Sequence, residues 1–296
     1  MKIHGKSLGA HPDWPCVRRI KEVSILHAKN TRTSLKVVFT PKAEVVDGNS
    51  TDFGIFGASD TILPNEPSTV VIDIGCGTGH TAFDIKKLLP NSTVVGAGLH
   101  DLADECVTAI DAVYYNRLPT DTELLKEYIG RATLVLDTFG ALTYSENQGH
   151  LLIYSTLLLG KDSRFSCVIP SQAAWLESSE LVNKLFPTVS FVSAKANGRK
   201  SIEKFFEDHL HMTLNLTPTT YFHHTNNSFY DGFIIDARSR GHSYTVEDYP
   251  RLTTLYDIEV GKSSKPNQWC CSEACFRGKM RHAASSKNDA NTSSYG

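Results

Sequence analysis

Apolar residues along this chain keep two rhythms that take turns. Short continuous runs such as Val70-Val71-Ile72 and Val94-Val95 alternate with stretches whose apolar residues recur at three- and four-residue spacing. The first rhythm predicts strands over 69–74, 93–97, 112–115, 132–137 and 164–169. The second predicts helices over 79–89, 100–110, 120–129, 147–159 and 172–185. In the first of these helices Phe83, Ile85, Leu88 and Leu89 share a face, and Pro90 is the stop. Strands with unbroken apolar runs, separated by helices, predict an α/β fold: a Rossmann-like, doubly wound, mostly parallel sheet with helices on both faces. Ligands in such sheets bind beyond the C-terminal strand ends, so the chain after Ile74, Val95, Tyr115 and Leu136 should converge on one site.

The flanks keep a different pattern. Residues 1–67 read as an N-terminal extension, with a short helix over 17–27 and a strand over 34–40. Residues 47–68 are rich in Gly, Ser, Asn, Asp and Pro, with isolated Phe53, Ile55, Phe56 and Ile62. They predict a loop, either a linker or a lid, just ahead of the first sheet strand. Beyond 186, residues 190–192 suit a strand and 202–210 a helix. Strands over 213–221 and 229–236, joined through Asn226-Asn227-Ser228, predict an antiparallel hairpin. Residues 68–240 therefore form the expected domain and 241–296 a C-terminal extension. The last part of that extension is basic, and its Ser-, Asn- and Ala-rich end predicts disorder.

Composition narrows the partners. Thirty Lys and Arg against 32 Asp and Glu leave a net charge of −2, which makes no electrostatic case for nucleic acid. No apolar run is long enough for a membrane span, and the first residues lack a secretory apolar stretch, so the expected setting is cytoplasmic. The cysteines Cys16, Cys76, Cys106, Cys167, Cys270, Cys271 and Cys275 are odd in number and lack framework spacing, which suits reduced thiols. The cluster Cys270-Cys271-x-x-x-Cys275 has only His282 nearby as a fourth ligand, so no metal site is expected.

Chemistry concentrates in Val70-Val71-Ile72-Asp73-Ile74-Gly75-Cys76-Gly77-Thr78-Gly79-His80. A buried strand opens through glycines into a helix whose first N–H groups favour an electronegative ligand group. The dinucleotide pattern G-x-G-x-x-G fits poorly, because its third glycine falls on His80 and Gly79 comes one residue early. A nicotinamide-dependent oxidoreductase is therefore disfavoured. The run Asp73-Ile74-Gly75-Cys76-Gly77-Thr78-Gly79 instead resembles, residue for residue, the first motif of the class I S-adenosylmethionine-dependent methyltransferases. The resemblance implies S-adenosylmethionine as cofactor. Its methionine part would lie against Gly75, Cys76, Gly77 and Gly79, with Asp73 meeting the amino group. It also leads one to expect the closing antiparallel hairpin.

The same resemblance exposes a departure. The family's second strand usually ends in an acid that accepts the ribose hydroxyls, and here that position is Gly98. Asp101 and His100 are the nearest polar residues. Three readings follow: a substitute contact through Asp101, a weak binder, or a site that no longer turns over. Asn116, ahead of Leu118-Pro119, matches the polar residue that meets the adenine amino group, or it belongs to a plain strand-end turn. Asp137, Thr138, Phe139 and Tyr144 follow the fourth strand and would line cofactor and substrate; the Asn-Pro-Pro-aromatic signature of amino-directed DNA methyltransferases is absent. Cys16 reads as an ordinary thiol. Methyl transfer needs alignment and exclusion of water, with a base only where the acceptor loses a proton. The candidate bases are Asp137, His100 and one of His223 and His224, which would point to opposite faces of a strand. Tyr221, Phe222, Phe229 and Tyr230 suit hairpin packing or a substrate cage. A small-molecule acceptor reacting at O or N is the first expectation and a protein acceptor the second. A non-catalytic scaffold on the same fold is the alternative that Gly98 motivates. Gly75→Val or Gly77→Asp is expected to abolish cofactor binding and leave the fold largely intact.

Overall fold

Strand β4 (Val70–Ile74) is buried along its whole length and organises the molecule. Its side chains alternate between two cores. Val70, Ile72 and Ile74 enter one, with Val95, Tyr114, Leu151 and Phe165, while Val71 enters the other, with Ala82, Ile85, Val94 and Leu134. A strand feeding two cores has to be apolar at nearly every position, which is why the run carries no polar alternation. Asp73 is the exception.

The computed structural model describes residues 1–8, 34–37, 61–115, 118, 120–138, 140–145, 147–170, 200–223 and 228–261. In chain order the elements are β1 (Lys2–Gly5), β2 (Ser34–Val37), β3 (Thr61–Pro64), β4, α1 (His80–Leu88), β5 (Thr93–Gly98), α2 (Asp104–Val107), β6 (Ala112–Tyr115), α3 (Glu123–Tyr128), β7 (Ala132–Thr138), α4 (Ala141–Tyr144), α5 (Gln148–Leu157), β8 (Leu159–Pro170), α6 (Ile202–Leu210), β9 (Met212–His223), β10 (Ser228–Ser239) and α7 (Asp248–Glu259). The main sheet has eight strands in the order β1-β6-β5-β4-β7-β8-β10-β9. The strands from β1 to β8 run parallel, and β10 and β9 close the sheet as antiparallel strands. This is the doubly wound, mostly parallel sheet with a C-terminal hairpin that the pattern predicts. The strand order reverses at β4, which has β5 on one side and β7 on the other.

Several boundaries differ from the pattern. The helix read over 100–110 is confined to Asp104–Val107, because Ala103 is extended and the acids Asp104 and Glu105 open its first turn. The helix read over 147–159 stops at Leu157, and the same leucine run starts β8 at Leu159; a short apolar run does not distinguish helix from buried strand. Thr61–Pro64, read as loop, is a strand pairing antiparallel with Ser34–Val37. Three elements carry no expectation: the short helix α4, the edge strand β1 and helix α7. The last packs on α5, where the missing Cβ of Gly149 makes room for the Tyr256 ring and His150 Nε2 meets Asp257 at 2.9 Å. The helices read over 17–27 and 172–185, the strand over 190–192 and the C-terminal tail lie outside the described residues. The chain divides into two compact units, and every described residue falls in the first, Met1–Ser263. Among the described residues no helix is long and apolar enough to cross a membrane.

Candidate cofactor site

The turn after β4 is held in a shape that ordinary residues avoid. Gly75, Gly77 and Gly79 have φ of +71°, +54° and +87°, the left-handed region where only glycine goes without cost. The loop is fastened to the end of β5 by the Gly75 and Cys76 N–H groups, which both donate to the Ala97 carbonyl at 2.7 and 3.0 Å. Gly79 N–H donates to the Cys76 carbonyl at 2.8 Å, and Gly79 is the N-cap of α1. A Cβ on Gly75 would sit 2.1 Å from the Ala141 nitrogen and 2.6 Å from Gly140 Cα. The glycine loop thus packs directly on the loop after β7. This corrects the expectation for Gly75→Val: the clash is with backbone, so the substitution disturbs the fold as well as any ligand.

Two buried acids stand behind these loops. Asp73, next to last in β4, lies side by side with Leu136 of β7, and Asp137 follows. Burial pushes the Asp73 carboxyl up to about 7, offset in part by a hydrogen bond from the Ala82 N–H in the first turn of α1. Burial likewise lifts Asp137 to about 8; the N–H groups of Leu142 and Gly140 pull the other way, and the nearby Asp73 charge adds to the rise. Asp137 Oδ1 accepts from Gly140 N–H at 2.8 Å, and Oδ2 accepts from Leu142 N–H at 2.7 Å. Both its oxygens therefore shape the loop that meets Gly75.

The β5 side is built differently. A Cβ on Gly98 would meet Cys76 Sγ at 3.2 Å, and one on Gly96 would meet the same sulfur at 3.1 Å. The half-buried Cys76 side chain therefore occupies the space over the end of β5, where the family pattern has its acid. Burial and the Asp73 charge push the Cys76 thiol up, so it stays protonated and neutral. Asp101 is exposed on the loop after β5, and its carboxylate accepts from the Ser7 hydroxyl. His100 is half-buried on the same loop. Thr138 ends β7 opposite Val168. Asn116, Phe139 and His224 lie outside the described residues, and His223 ends β9. Asp73, the three glycines, Cys76 and the loop carrying Asp137 are thus brought together at β4. His100 and Asp101 flank them on the β5 side.

Two neighbours escape a reading of the sequence. Tyr115, at the end of β6, accepts a hydrogen bond from the Leu102 N–H, and burial raises its phenol above the ordinary value, with a smaller contribution from the Asp101 charge. Its place at a C-terminal strand end was a usable signal. Ser7 carried none, since nothing in its local pattern ties it to a strand about ninety residues away. His80, in the third-glycine position of the dinucleotide pattern, ties the loop to α2: Nδ1 meets Thr78 Oγ1 at 2.8 Å and Nε2 meets Glu105 at 3.1 Å.

No family model and no curated protein matches this chain. Among solved structures it is similar to the antibiotic-resistance methyltransferase Kmr, at 17% identity over 59% of this chain and 88% of that one, with a TM-score of 0.35. It is similar to the plantazolicin methyltransferase BpumL at 12% identity over 58% and 77%, TM-score 0.36. A third likeness is to the 16S rRNA (adenine(1408)-N(1))-methyltransferase from Catenulisporales acidiphilia, at 10% identity over 63% and 96%, TM-score 0.36. At these scores and identities nothing about this chain's chemistry follows from them.

Proposed function

We propose that this protein binds S-adenosylmethionine in the crevice beyond β4 and transfers its methyl group to an oxygen or nitrogen of a small molecule. The observation that carries this reading is the glycine turn: three glycines at positive φ, matching the methyltransferase motif residue for residue, at the point where the strand order reverses. The buried acid at Asp73 fits the cofactor's charge. A carboxyl held up to about 7 by desolvation gains from a cationic partner, and the methionine amino group is one. The glycine loop would hold the methionine part. Asp101 would take the ribose hydroxyls in place of an acid at Gly98, and Asn116 and Thr138 would line the adenine and methyl-donor ends.

The bound sulfonium supplies an activated methyl group, so the chain's own residues have to align the acceptor and keep out water. Asp137 acts through the loop that its two oxygens organise. Where the acceptor has to lose a proton, His100 is the candidate base. The acceptor is assigned as a small molecule because the near-neutral charge gives no reason for a polynucleotide. A non-catalytic scaffold is the competing reading, and Gly98 beneath Cys76 is the feature that favours it. Transfer of radiolabelled methyl from S-adenosylmethionine to a panel of hydroxy and amino small molecules and to proteins tests the proposal. Label in a small molecule supports it, label only in protein moves the acceptor, and binding without transfer to any acceptor favours the scaffold.

A further inference from the structure

Strand β1 adds little to the core: three of its four residues are exposed, and only His4 is half-buried. It is nevertheless fixed in place. Lys2 N–H donates to the Asp111 carbonyl at 2.8 Å, and residues 2–5 pair in parallel register with residues 112–115. The His4 ring stacks on Tyr114 at a centroid distance of 4.2 Å, beside Glu127, which accepts from the Tyr114 hydroxyl. Parallel pairing brings the C-terminal end of β1 to the same edge of the sheet as the ends of β5 and β6. There Gly5, at φ +79°, turns hard against β6; a Cβ would meet the Tyr115 carbonyl oxygen at 2.2 Å. The chain next reaches β5, where the Ser7 hydroxyl donates to Asp101 and the Leu8 N–H donates to the Leu99 carbonyl at 2.7 Å.

We infer that Ser7 is a positioning residue of the cofactor site and that the N-terminal strand completes the ribose side, which Gly98 leaves without a side chain. This rests on the reading that Asp101 takes the ribose hydroxyls. An exposed aspartate on a loop samples several rotamers, and a ligand that needs one of them bears the cost of ordering it. Donation from Ser7 to Oδ1 selects a rotamer before the ligand arrives. The backbone bond from Leu8 holds Ser7 there, and β1 holds Leu8 at the strand ends. The effect is therefore specific to ligands that carry ribose hydroxyls.

The test is calorimetric titration of the full chain with S-adenosylhomocysteine and with its 2′,3′-dideoxy analogue. Ser7→Ala is expected to weaken S-adenosylhomocysteine about five- to tenfold, the equivalent of about 1 kcal/mol, and to leave the dideoxy analogue unchanged. Ser7→Thr, which keeps the hydroxyl, is expected to bind as the wild type does. Asp101→Ala, which removes the acceptor of the Ser7 hydrogen bond, should weaken S-adenosylhomocysteine, and adding Ser7→Ala to it should cost nothing further. If Ser7→Ala binds S-adenosylhomocysteine like the wild type, or weakens both ligands equally, the role of Ser7 is overturned while the cofactor assignment stands. If the wild type does not bind S-adenosylhomocysteine, the cofactor reading itself fails and the inference falls with it.

Discussion

The two sides of the crevice are built on opposite plans. On the β4–β7 side the acids Asp73 and Asp137 are buried, the polar atoms of Asp137 are committed to backbone N–H groups, and two loops pack so closely that Gly75 has no room for a Cβ. On the β5–β6 side the strand end is neutral, a thiol fills the space over Gly98, and the acid at Asp101 is exposed and held from outside by Ser7. The first side is shaped by contacts within the chain itself. The second depends on a segment from the start of the chain. A site of this kind should fail abruptly when the first side is touched and by degrees when the second is.

The largest effect expected is from Gly75→Val. A branched side chain at φ +71°, against backbone atoms at 2.1–2.7 Å, should cost several kcal/mol and abolish cofactor binding. Thermal unfolding and ligand titration read the two losses separately, and a variant with wild-type melting would contradict the packing described for the loops. Next comes Asp137→Asn. An amide accepts through one oxygen only and places an NH2 against the second N–H donor, so a loss of about 1–3 kcal/mol is expected by chemical denaturation.

A third prediction concerns pH. Burial raises the Asp73 carboxyl in the folded state to about 7, so between the unfolded carboxylate range and that value the folded chain binds more protons than the unfolded one. Its contribution to stability is full below the unfolded pKa and is lost as pH rises through about 7. Asp73→Asn should remove that part of the decline between pH 5 and pH 8, so unfolding curves for the two proteins should diverge in slope against pH; parallel profiles would contradict the burial effect. The smallest effect belongs to the β5 side. Gly98→Asp should be tolerated with a modest loss, since the nearest atom is the Cys76 sulfur at 3.2 Å. Paired with Cys76→Ala it should tighten cofactor binding above wild type, which titration would reveal.

The same contrast decides what could be read from the chain. The β4 side was legible because its determinants are contiguous: the apolar run, the acid and the glycines lie within Val70–Gly79, and each imposes a local conformation. The parallel sheet was legible because strands buried on both faces read as unbroken apolar runs between helical stretches, and the closing hairpin because two strand patterns flank Asn226-Asn227-Ser228. The β5 side was not. Asp101 meets Ser7 from the start of the chain, about ninety residues away, and β1 is too short and too exposed to carry a pattern. Helix α7 did carry one, since Tyr249, Leu252, Thr253 and Tyr256 share a buried face, but its first turn contains Pro250 and a polar run precedes it. Asp137 reads from the sequence as a residue lining the site and a candidate base; the hydrogen bonds it accepts from the Gly140 and Leu142 N–H groups make it a loop organiser, and the direction of carboxylate oxygens leaves no trace in a sequence.

The most direct test of the central claim is titration of wild type and Asp73→Asn with S-adenosylmethionine at pH values from 6 to 9. The account predicts binding that strengthens as pH rises through about 7, when Asp73 loses its proton and its carboxylate can pair with the cationic ligand, and a weaker, flatter profile in the variant. Absence of binding, or wild-type affinity in Asp73→Asn at every pH, would contradict it.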